Sequence, residues 1–306
     1  MENKIQTFIF TARSDALFIQ NTLPPLIRLA EKAESKITLM LDKSDPTGVL
    51  GTTLPQSDLS EITSKIENLQ SFLNFDFVTT AYDLKSIQSK NRLQFDYPHK
   101  ETHCFRGYPI YGSFKQFFDN DADYILHLDC DMIFYESPEY SWINEGIKIM
   151  EQNEDILCVL PKGGSPTKDN TLHQGNTVYE VDDKRGLYLF KNFTSRHYLI
   201  HKERYMSLLP LRPQWLSWRE PIKSRLFGNG KMLSWEAMVE HALEKTGMWR
   251  ADLMTDQAWS LHPGDRSEEF YNLLPKIIDC VNNNKFPEEQ RGHYDLRLSD
   301  WKHFLN

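Results

Sequence analysis

The first 134 residues alternate between short apolar runs and segments with helical periodicity, and this alternation constrains the fold more than any other feature. Apolar runs predict strands at residues 5–10, 37–41, 75–80 and 124–128. Stripes of Leu and Ile at helical spacing separate the first three runs, at 23–30 and 59–73. Strand, helix and strand in this order are typical of a parallel sheet covered by helices. We therefore predict an α/β fold with a mixed, mainly parallel sheet.

The chain has 306 residues, which is enough for one large α/β domain or two smaller ones. After residue 135 the pattern is less regular, with strand-like runs at 156–160, 186–190 and 196–201. Ser234 predicts the start of a helix that ends at Gly247. We predict one domain over residues 1–265, divided near residue 135 into two halves. Residues 266–306 are expected to form a C-terminal helical extension.

Two carboxylates follow the fourth predicted strand in the run YILHLDCDMIF, residues 124–134. An isolated buried pair such as Asp129 and Asp131 would repel, so one carboxyl would stay protonated unless a cation joined them. Mg²⁺ and Mn²⁺ favour such oxygen ligands, often together with substrate phosphates. The pair indicates a divalent-metal site. The plainer alternative is two solvated aspartates in a turn.

Other polar residues occupy equivalent positions on neighbouring predicted strands. Thr11, Ala12 and Arg13 follow the first strand, and Asp42 ends the second. Ligands of parallel α/β sheets lie outside the carboxyl ends of the strands. These residues and the aspartate pair are therefore expected to converge on one edge of the sheet.

Composition narrows the class of partner. The formal net charge is −8, which argues against sequence-independent binding of nucleic acid. No run approaches the roughly 18 apolar residues of a membrane span, and the N-terminal run lacks a signal-peptide layout. We expect a cytoplasmic protein, with a peripheral contact at the inner face of a membrane left open. The sequence does not indicate an oligomeric state.

Three segments resemble the nucleotide-diphosphate-sugar glycosyltransferases of the GT-A fold, family 2-like members with a D-x-D motif. YILHLDCDMIF looks like the D-x-D segment, and FIFTARSD, residues 8–15, is similar to the first-strand segment that cradles the nucleotide base. ITLMLDKSD, residues 37–45, resembles the second strand, whose terminal aspartate contacts uracil. The resemblance implies that a UDP-sugar is bound by Thr11, Ala12, Arg13, Asp42 and Asp129. Arg106 falls where the family often carries a basic residue, which implies that it binds a phosphate of the donor.

A later segment extends the resemblance. SWEAMVEHALEKTGMWRADLMTDQAWSLHP, residues 234–263, looks like the family's helix with an acidic residue, a Gly turn and a strand ending in a metal-binding His. This implies that Glu236 is the general base of an inverting enzyme. It also implies that His262 binds the metal with Asp129 and Asp131, which favours Mn²⁺ over Mg²⁺ because imidazole is the softer donor. The halves before and after residue 135 would then bind the donor and the acceptor.

The acceptor is expected to be a glycan, a lipid-linked saccharide or a small molecule. Trp215, Trp218 and Trp235 are candidates for an acceptor platform, because the C–H face of a sugar packs on aromatic rings. The same tryptophans could equally anchor a core or a loop.

Two other activities stay open at this point. LHLDCDMIF also resembles the D-x-D strand of retaining GT-A glycosyltransferases, which would change the stereochemical outcome and keep the fold. A phosphatase of the haloacid dehalogenase type also has an apolar strand ending in D-x-D. That motif normally lies on the opening strand, whereas three strand-like runs precede it here.

Overall fold

The computed structural model describes residues 4–45, 47–53, 57–80, 82–118, 120–173 and 177–305. Its strands are β1 (Ile5–Ala12), β2 (Lys36–Asp42), β3 (Asp76–Thr79), β4 (Tyr124–Asp129), β5 (Ile133–Glu136), β6 (Ile156–Leu160), β7 (Lys162–Gly163), β8 (Glu180–Asp182), β9 (Leu187–Phe190), β10 (His197–His201), β11 (Trp249–Leu253) and β12 (Ala258–Leu261). Its α-helices are α1 (Ile19–Lys32), α2 (Leu50–Thr53), α3 (Leu59–Gln70), α4 (Leu84–Phe95), α5 (Tyr111–Lys115), α6 (Trp142–Gln152), α7 (Lys202–Ser207), α8 (Glu220–Phe227), α9 (Trp235–Thr246), α10 (Glu268–Asn282) and α11 (Leu298–Leu305). None of these helices is long and apolar enough to cross a membrane.

The large sheet has the strand order β3-β2-β1-β4-β10-β6-β11-β9-β8. The first four strands in this order pair in parallel, and β6 pairs in parallel with β11. Within the described part of this sheet, β10 and β9 run against their neighbours. The prediction of an α/β fold with a mixed, mainly parallel sheet is confirmed.

Side chains on successive positions of the strands enter two separate cores. Leu126 of β4 belongs to the core that contains apolar residues of α1, α3 and α6. Its neighbour Ile125 belongs to the core formed with α5 and α9. This alternation follows from the two-residue period of a strand. It explains why the β4 run is almost wholly apolar, since both of its faces are buried.

The register of the parallel strands brings three strand ends to one level. Ala12 of β1 lies opposite Asp42 of β2, and Phe10 of β1 lies opposite Asp129 of β4. The chain leaves the sheet just beyond these positions. Polar groups at these ends therefore share one edge of the sheet.

A second sheet of three strands, β5-β12-β7, lies next to this edge. Its Trp259 and Leu261 pack with Phe270 of α10 and Trp301 of α11 in a third core. The predicted helical extension thus covers this small sheet. Its tail also returns to the strand ends, where Asp295 forms a bridge with His262. The domain boundary at residue 265 stays a prediction.

Candidate functional site

A cavity of about 200 Å³ opens at the carboxyl ends of β1, β2 and β4. We call it the strand-end cavity. It brings together six of the residues predicted from the sequence, namely Thr11, Ala12, Arg13, Asp42, Asp129 and Asp131. The expected convergence of three distant segments is therefore present in the structure.

Asp42 is held as an oriented hydrogen-bond acceptor on one wall of the cavity. The Tyr82 hydroxyl donates to its Oδ2 at 2.8 Å, and the Ser44 N–H donates to its Oδ1 at 2.8 Å. His103 Nε2 lies 3.4 Å from Oδ2. Burial alone would raise the pKa of this carboxyl, but the hydrogen bonds from His103 and Ser44 lower it. Asp42 is therefore ionised and fixed in direction at neutral pH.

Arg13 lies beside Asp42 and links the loops after β1 and β2. Its Nη1 lies 2.9 Å from Asp45 Oδ1, and its Nη2 donates to the Lys43 carbonyl at 3.3 Å. The side chain is about one quarter exposed. A guanidinium in this place can reach an anionic ligand in the cavity only by sharing or leaving its contact with Asp45.

The two aspartates after β4 differ in their partners. Asp129 lies 3.2 Å from His127 Nε2, and burial raises the pKa of its carboxyl. Asp131 Oδ2 pairs with Arg266 Nη2 at 2.5 Å. The other oxygen of Asp131, Oδ1, is buried and has no hydrogen-bond partner among the described residues. A buried carboxylate oxygen without a donor is costly unless a ligand or cation supplies its partner.

Asp15, a fourth carboxyl in this cavity, was missed by sequence reasoning. It follows β1 in a 3₁₀ turn, and its Oδ2 accepts from the Ala12 N–H at 2.9 Å and from Thr11 Oγ1 at 3.0 Å. Burial, reinforced by the charge of Asp131, raises the pKa of Asp15 to about 7. The segment FIFTARSD contains it, so the acid one turn beyond Thr11 was the available signal.

A second cavity of about 420 Å³ adjoins the first, within the volume range of small-molecule sites. We call it the Glu236 cavity. Glu236 lies in the first turn of α9, and its Oε1 accepts from the Ser195 N–H at 2.7 Å and from Ser195 Oγ at 2.9 Å. Ser195 itself lines the strand-end cavity. Glu236 is thus anchored to the segment that separates the two cavities.

His262 lines the Glu236 cavity, whereas Asp129 and Asp131 line the strand-end cavity. Its Nδ1 lies 2.8 Å from Asp295 Oδ1, and its ring stacks on Tyr294 with 5.9 Å between ring centroids. A carboxylate on one nitrogen of a histidine is the arrangement that orients the other nitrogen toward a metal. Among the described residues, however, no three His, Cys, Asp or Glu side chains lie close enough together to hold a metal ion.

Arg196 is the second functional candidate that the sequence reasoning missed. It precedes β10, its carbonyl accepts from the Asp129 N–H at 2.7 Å, and its side chain lines the Glu236 cavity. Burial would lower the pKa of its guanidinium, but Tyr294 and the nearby acids Asp131, Asp129 and Glu236 raise it. A positive charge therefore lies near the three acidic groups predicted to act on the substrate.

The remaining predicted residues are not part of either cavity lining. Arg106 is exposed on the loop that contributes Gly107 and Tyr108 to the strand-end cavity, and its own side chain is not in the lining. Trp235 is 2% exposed, packs against Phe193 and donates to the Tyr205 hydroxyl, so its position matches the alternative of a core residue.

The other two tryptophans also differ from the expectation of one platform. Trp215 is half-buried and contacts Tyr97 and His99 edge to face. Trp218 is largely exposed. Trp235 lies in a core, Trp215 in a loop contact and Trp218 at the surface beneath the Arg219 guanidinium, so the three rings have different environments.

By fold and site, the chain is an α/β protein with a cavity at the carboxyl ends of its parallel strands. No protein-family model and no curated protein matches it. Among solved structures it is similar to the galactosyltransferase LgtC in complex with donor and acceptor sugar analogues, with 10% identity and a TM-score of 0.42 over 94% of this chain and 99% of that chain. It is also similar to S. aureus TarS 1-349 in complex with UDP-GlcNAc, with 11% identity and a TM-score of 0.40 over 91% of this chain and 66% of that chain. A third similar structure is the mannosyltransferase PcManGT from Pyrobaculum calidifontis in complex with GDP-Man and Mn²⁺. Its identity is 7% and the TM-score is 0.39 over 90% of this chain and 61% of that chain. Likenesses this weak assign no activity to the chain.

Proposed function

We propose that this protein is a GT-A glycosyltransferase that moves a sugar from a nucleotide-diphosphate donor, a UDP-sugar, to a saccharide, lipid-linked or small-molecule acceptor. The observation that carries the proposal is the convergence of three strand ends on the strand-end cavity. Residues of β1, β2 and β4 there combine an oriented acceptor, Asp42, with the acidic pair Asp129 and Asp131. This combination suits a nucleotide whose nucleobase lies at one end of the cavity and whose diphosphate lies at the other.

The donor would lie in the strand-end cavity. Asp42 is fixed by Tyr82 and Ser44, so it can accept from the N3–H group of a uracil ring. Backbone groups of Thr11 and Ala12 would contact the same base, with Arg13 beside it. Uracil is favoured over cytosine because an ionised acceptor needs a ring N–H donor opposite it. Asp129 would contact the metal or the ribose.

A divalent cation, either Mn²⁺ or Mg²⁺, would lie at the acidic end, where the described side chains do not by themselves form a three-ligand site. Asp131 has a buried oxygen without a partner, and His262 is oriented by Asp295. Asp131 and Asp129 would hold the metal together with oxygens of the diphosphate, whereas His262 lines the other cavity. The metal, when bound, neutralises the charge that develops on the departing diphosphate. Arg196 and Arg266 add permanent positive charge next to the same carboxylates.

The acceptor would enter the Glu236 cavity, and Glu236 would be the general base. In a direct displacement, the acceptor oxygen bonds to the anomeric carbon while the bond to the diphosphate breaks, and the hydroxyl proton passes to Glu236. The hydrogen bonds from Ser195 hold this carboxylate at the partition between the two cavities. The product would have the inverted anomeric configuration.

The test is a screen of nucleotide sugars for binding and hydrolysis by the purified chain, with Mn²⁺ and with a chelator. We expect a UDP-sugar to bind in a metal-dependent manner and Asp131→Ala to abolish that binding. The matched control is Asp121→Ala, since Asp121 is an exposed acid paired with Lys4. Failure of every donor under both conditions would refute the proposal. A retained anomeric configuration in the product would refute the inverting mechanism alone.

A further inference from the structure

A group of apolar side chains is exposed around helix α8. Leu216, Trp218, Ile222, Leu226 and Phe227 are each between 47% and 74% exposed. We call these five residues the α8 surface. Trp218, Ile222 and Leu226 follow one another at four-residue intervals, so they lie along one side of the helix and its approach. Large apolar residues grouped in this way mark an interaction site more often than scattered ones do.

The helix has its polar face inside and its apolar face outside. Glu220 and Ser224, one turn apart, are each 5% exposed. Ile222 and Leu226 each follow one of these residues by two positions, which is about 200° around a helix and hence the opposite face. An ordinary surface helix buries its apolar stripe. In α8 the polar face is buried and the apolar face is exposed, which indicates that the apolar face contacts a partner outside the chain.

The buried polar face is fully engaged, so the helix is held in this orientation. Ser224 Oγ donates to Glu101 Oε2 at 2.8 Å, and the Gly230 N–H donates to Glu101 Oε1 at 2.8 Å. Glu220 Oε2 accepts from the Lys231 N–H at 3.0 Å. A Cβ on Gly230 would lie 2.6 Å from the Trp215 ring, so the turn after α8 is tightly packed. Helix α8 is therefore held in one orientation, with the α8 surface facing outward.

The charge around this surface is opposite to that of the whole chain. Residues 212–231 contain one acid, the buried Glu220, and five basic residues: Arg212, Arg219, Lys223, Arg225 and Lys231. All five basic residues are exposed. The whole chain carries a formal charge of −8. A strongly basic segment on an acidic protein points to an anionic partner.

We propose that the α8 surface docks this protein on an anionic lipid bilayer. Apolar side chains on one face of a helix with basic residues beside them are typical of helices that lie in the membrane interface. Trp218 suits the headgroup region, because its ring combines apolar area with a polar N–H group. The basic residues add attraction to anionic headgroups. This inference does not depend on the proposed glycosyl transfer.

The test is co-sedimentation of the full chain with large vesicles. One set of vesicles contains phosphatidylcholine alone, and the other contains phosphatidylcholine with about 40% phosphatidylglycerol, which makes the surface strongly anionic. We expect binding to the anionic vesicles that weakens as salt is raised. Trp218→Ser with Leu226→Ser should weaken it about tenfold or more through lost apolar burial. Arg219→Glu with Arg225→Glu should weaken it on the order of 100-fold.

Matched control variants distinguish vesicle binding by the α8 surface from nonspecific adsorption of the protein. Phe72 is 65% exposed and follows α3, which packs on the other face of the sheet, so Phe72→Ser should leave vesicle binding unchanged. Lys148→Glu with Lys184→Glu, both exposed positions elsewhere, is the control for charge reversal. Circular dichroism melts of each variant should match the wild type.

Three results would overturn the proposal. The first is no binding of the wild type to anionic vesicles at low salt. The second is equal loss in the Phe72 control and in the Trp218 and Leu226 variant. The third is a dimer in solution that the α8-surface variants convert to monomer without changing vesicle binding, because a second copy of the chain would then be the occupant.

Discussion

Arg266 Nη2 lies 2.5 Å from Asp131 Oδ2, so a residue just before α10 neutralises one oxygen of the acidic pair that ends β4. The Arg266 guanidinium also donates to the carbonyls of Pro263 and Asp265 and lies over the Phe18 ring. Both partners of this ion pair are mostly buried. Loss of either partner would leave the other charge in a poorly solvated place.

Arg266→Met should therefore destabilise the protein in the absence of metal. We expect a loss of about 2–3 kcal/mol in the free energy of unfolding, because Asp131 is left buried and unpaired. Mn²⁺ should restore more stability to this variant than to the wild type, since a cation would take over the role of the guanidinium. Chemical denaturation with Mn²⁺ and with a chelator measures both effects. Lys4→Met, which removes an exposed ion pair, is the control and should change little.

Glu236→Gln should keep donor binding and lose sugar transfer. The amide oxygen can still accept from Ser195, so the partition between the cavities is retained while the base is removed. We expect kcat to fall by roughly 10²- to 10⁴-fold, the range for loss of a general base. Donor affinity by calorimetry and transfer rate by product analysis separate the two effects. Glu240→Gln, one turn further along α9, is the matched control, and an equal loss there would contradict the assignment.

Asp15 should make stability depend on pH. Its folded-state pKa of about 7 exceeds the usual value, so between about pH 4 and pH 7 the folded state keeps a proton that the unfolded state has lost. Stability from this group therefore falls as pH rises through that window. Asp15→Asn should flatten the decline by on the order of 4 kcal/mol, measured by urea denaturation in chelator. The exposed Asp76→Asn serves as the control. A decline of the same size in Asp15→Asn and in the wild type would refute the pKa.

The sequence predicted the sheet and the edge where the candidate residues converge, because both are encoded locally. Apolar runs such as Tyr124–Leu128 are buried on both faces, and the polar residue after each run marks where the strand leaves the sheet. Arg196 and Arg266 could not be found in this way. They lie far along the chain from Asp129 and Asp131, and tertiary contacts alone bring these charges together.

The burial of Trp235 had a local signal in the sequence. Trp235, Met238 and Val239 are spaced three and four residues apart on one face of α9, and all three are buried. That spacing predicts a core residue. The tail after residue 290 was harder to predict, because His293, Tyr294 and Asp295 enter the Glu236 cavity through bridges to distant segments.

Glu101 gives a last prediction, which concerns the element that carries the α8 surface. Burial alone would raise the pKa of Glu101, but hydrogen bonds from His99, Ser224 and the Gly230 N–H lower it to about 2. A depressed pKa stabilises the fold above the usual value near 4.5, and this contribution is lost as pH falls from there toward 2. Glu101→Gln removes the charge and should cost about 2 kcal/mol at pH 7. Hydrogen exchange in residues 212–231 should rise in this variant, while α6 serves as the internal control. Unchanged exchange in residues 212–231 would mean that Glu101 does not hold α8 in place.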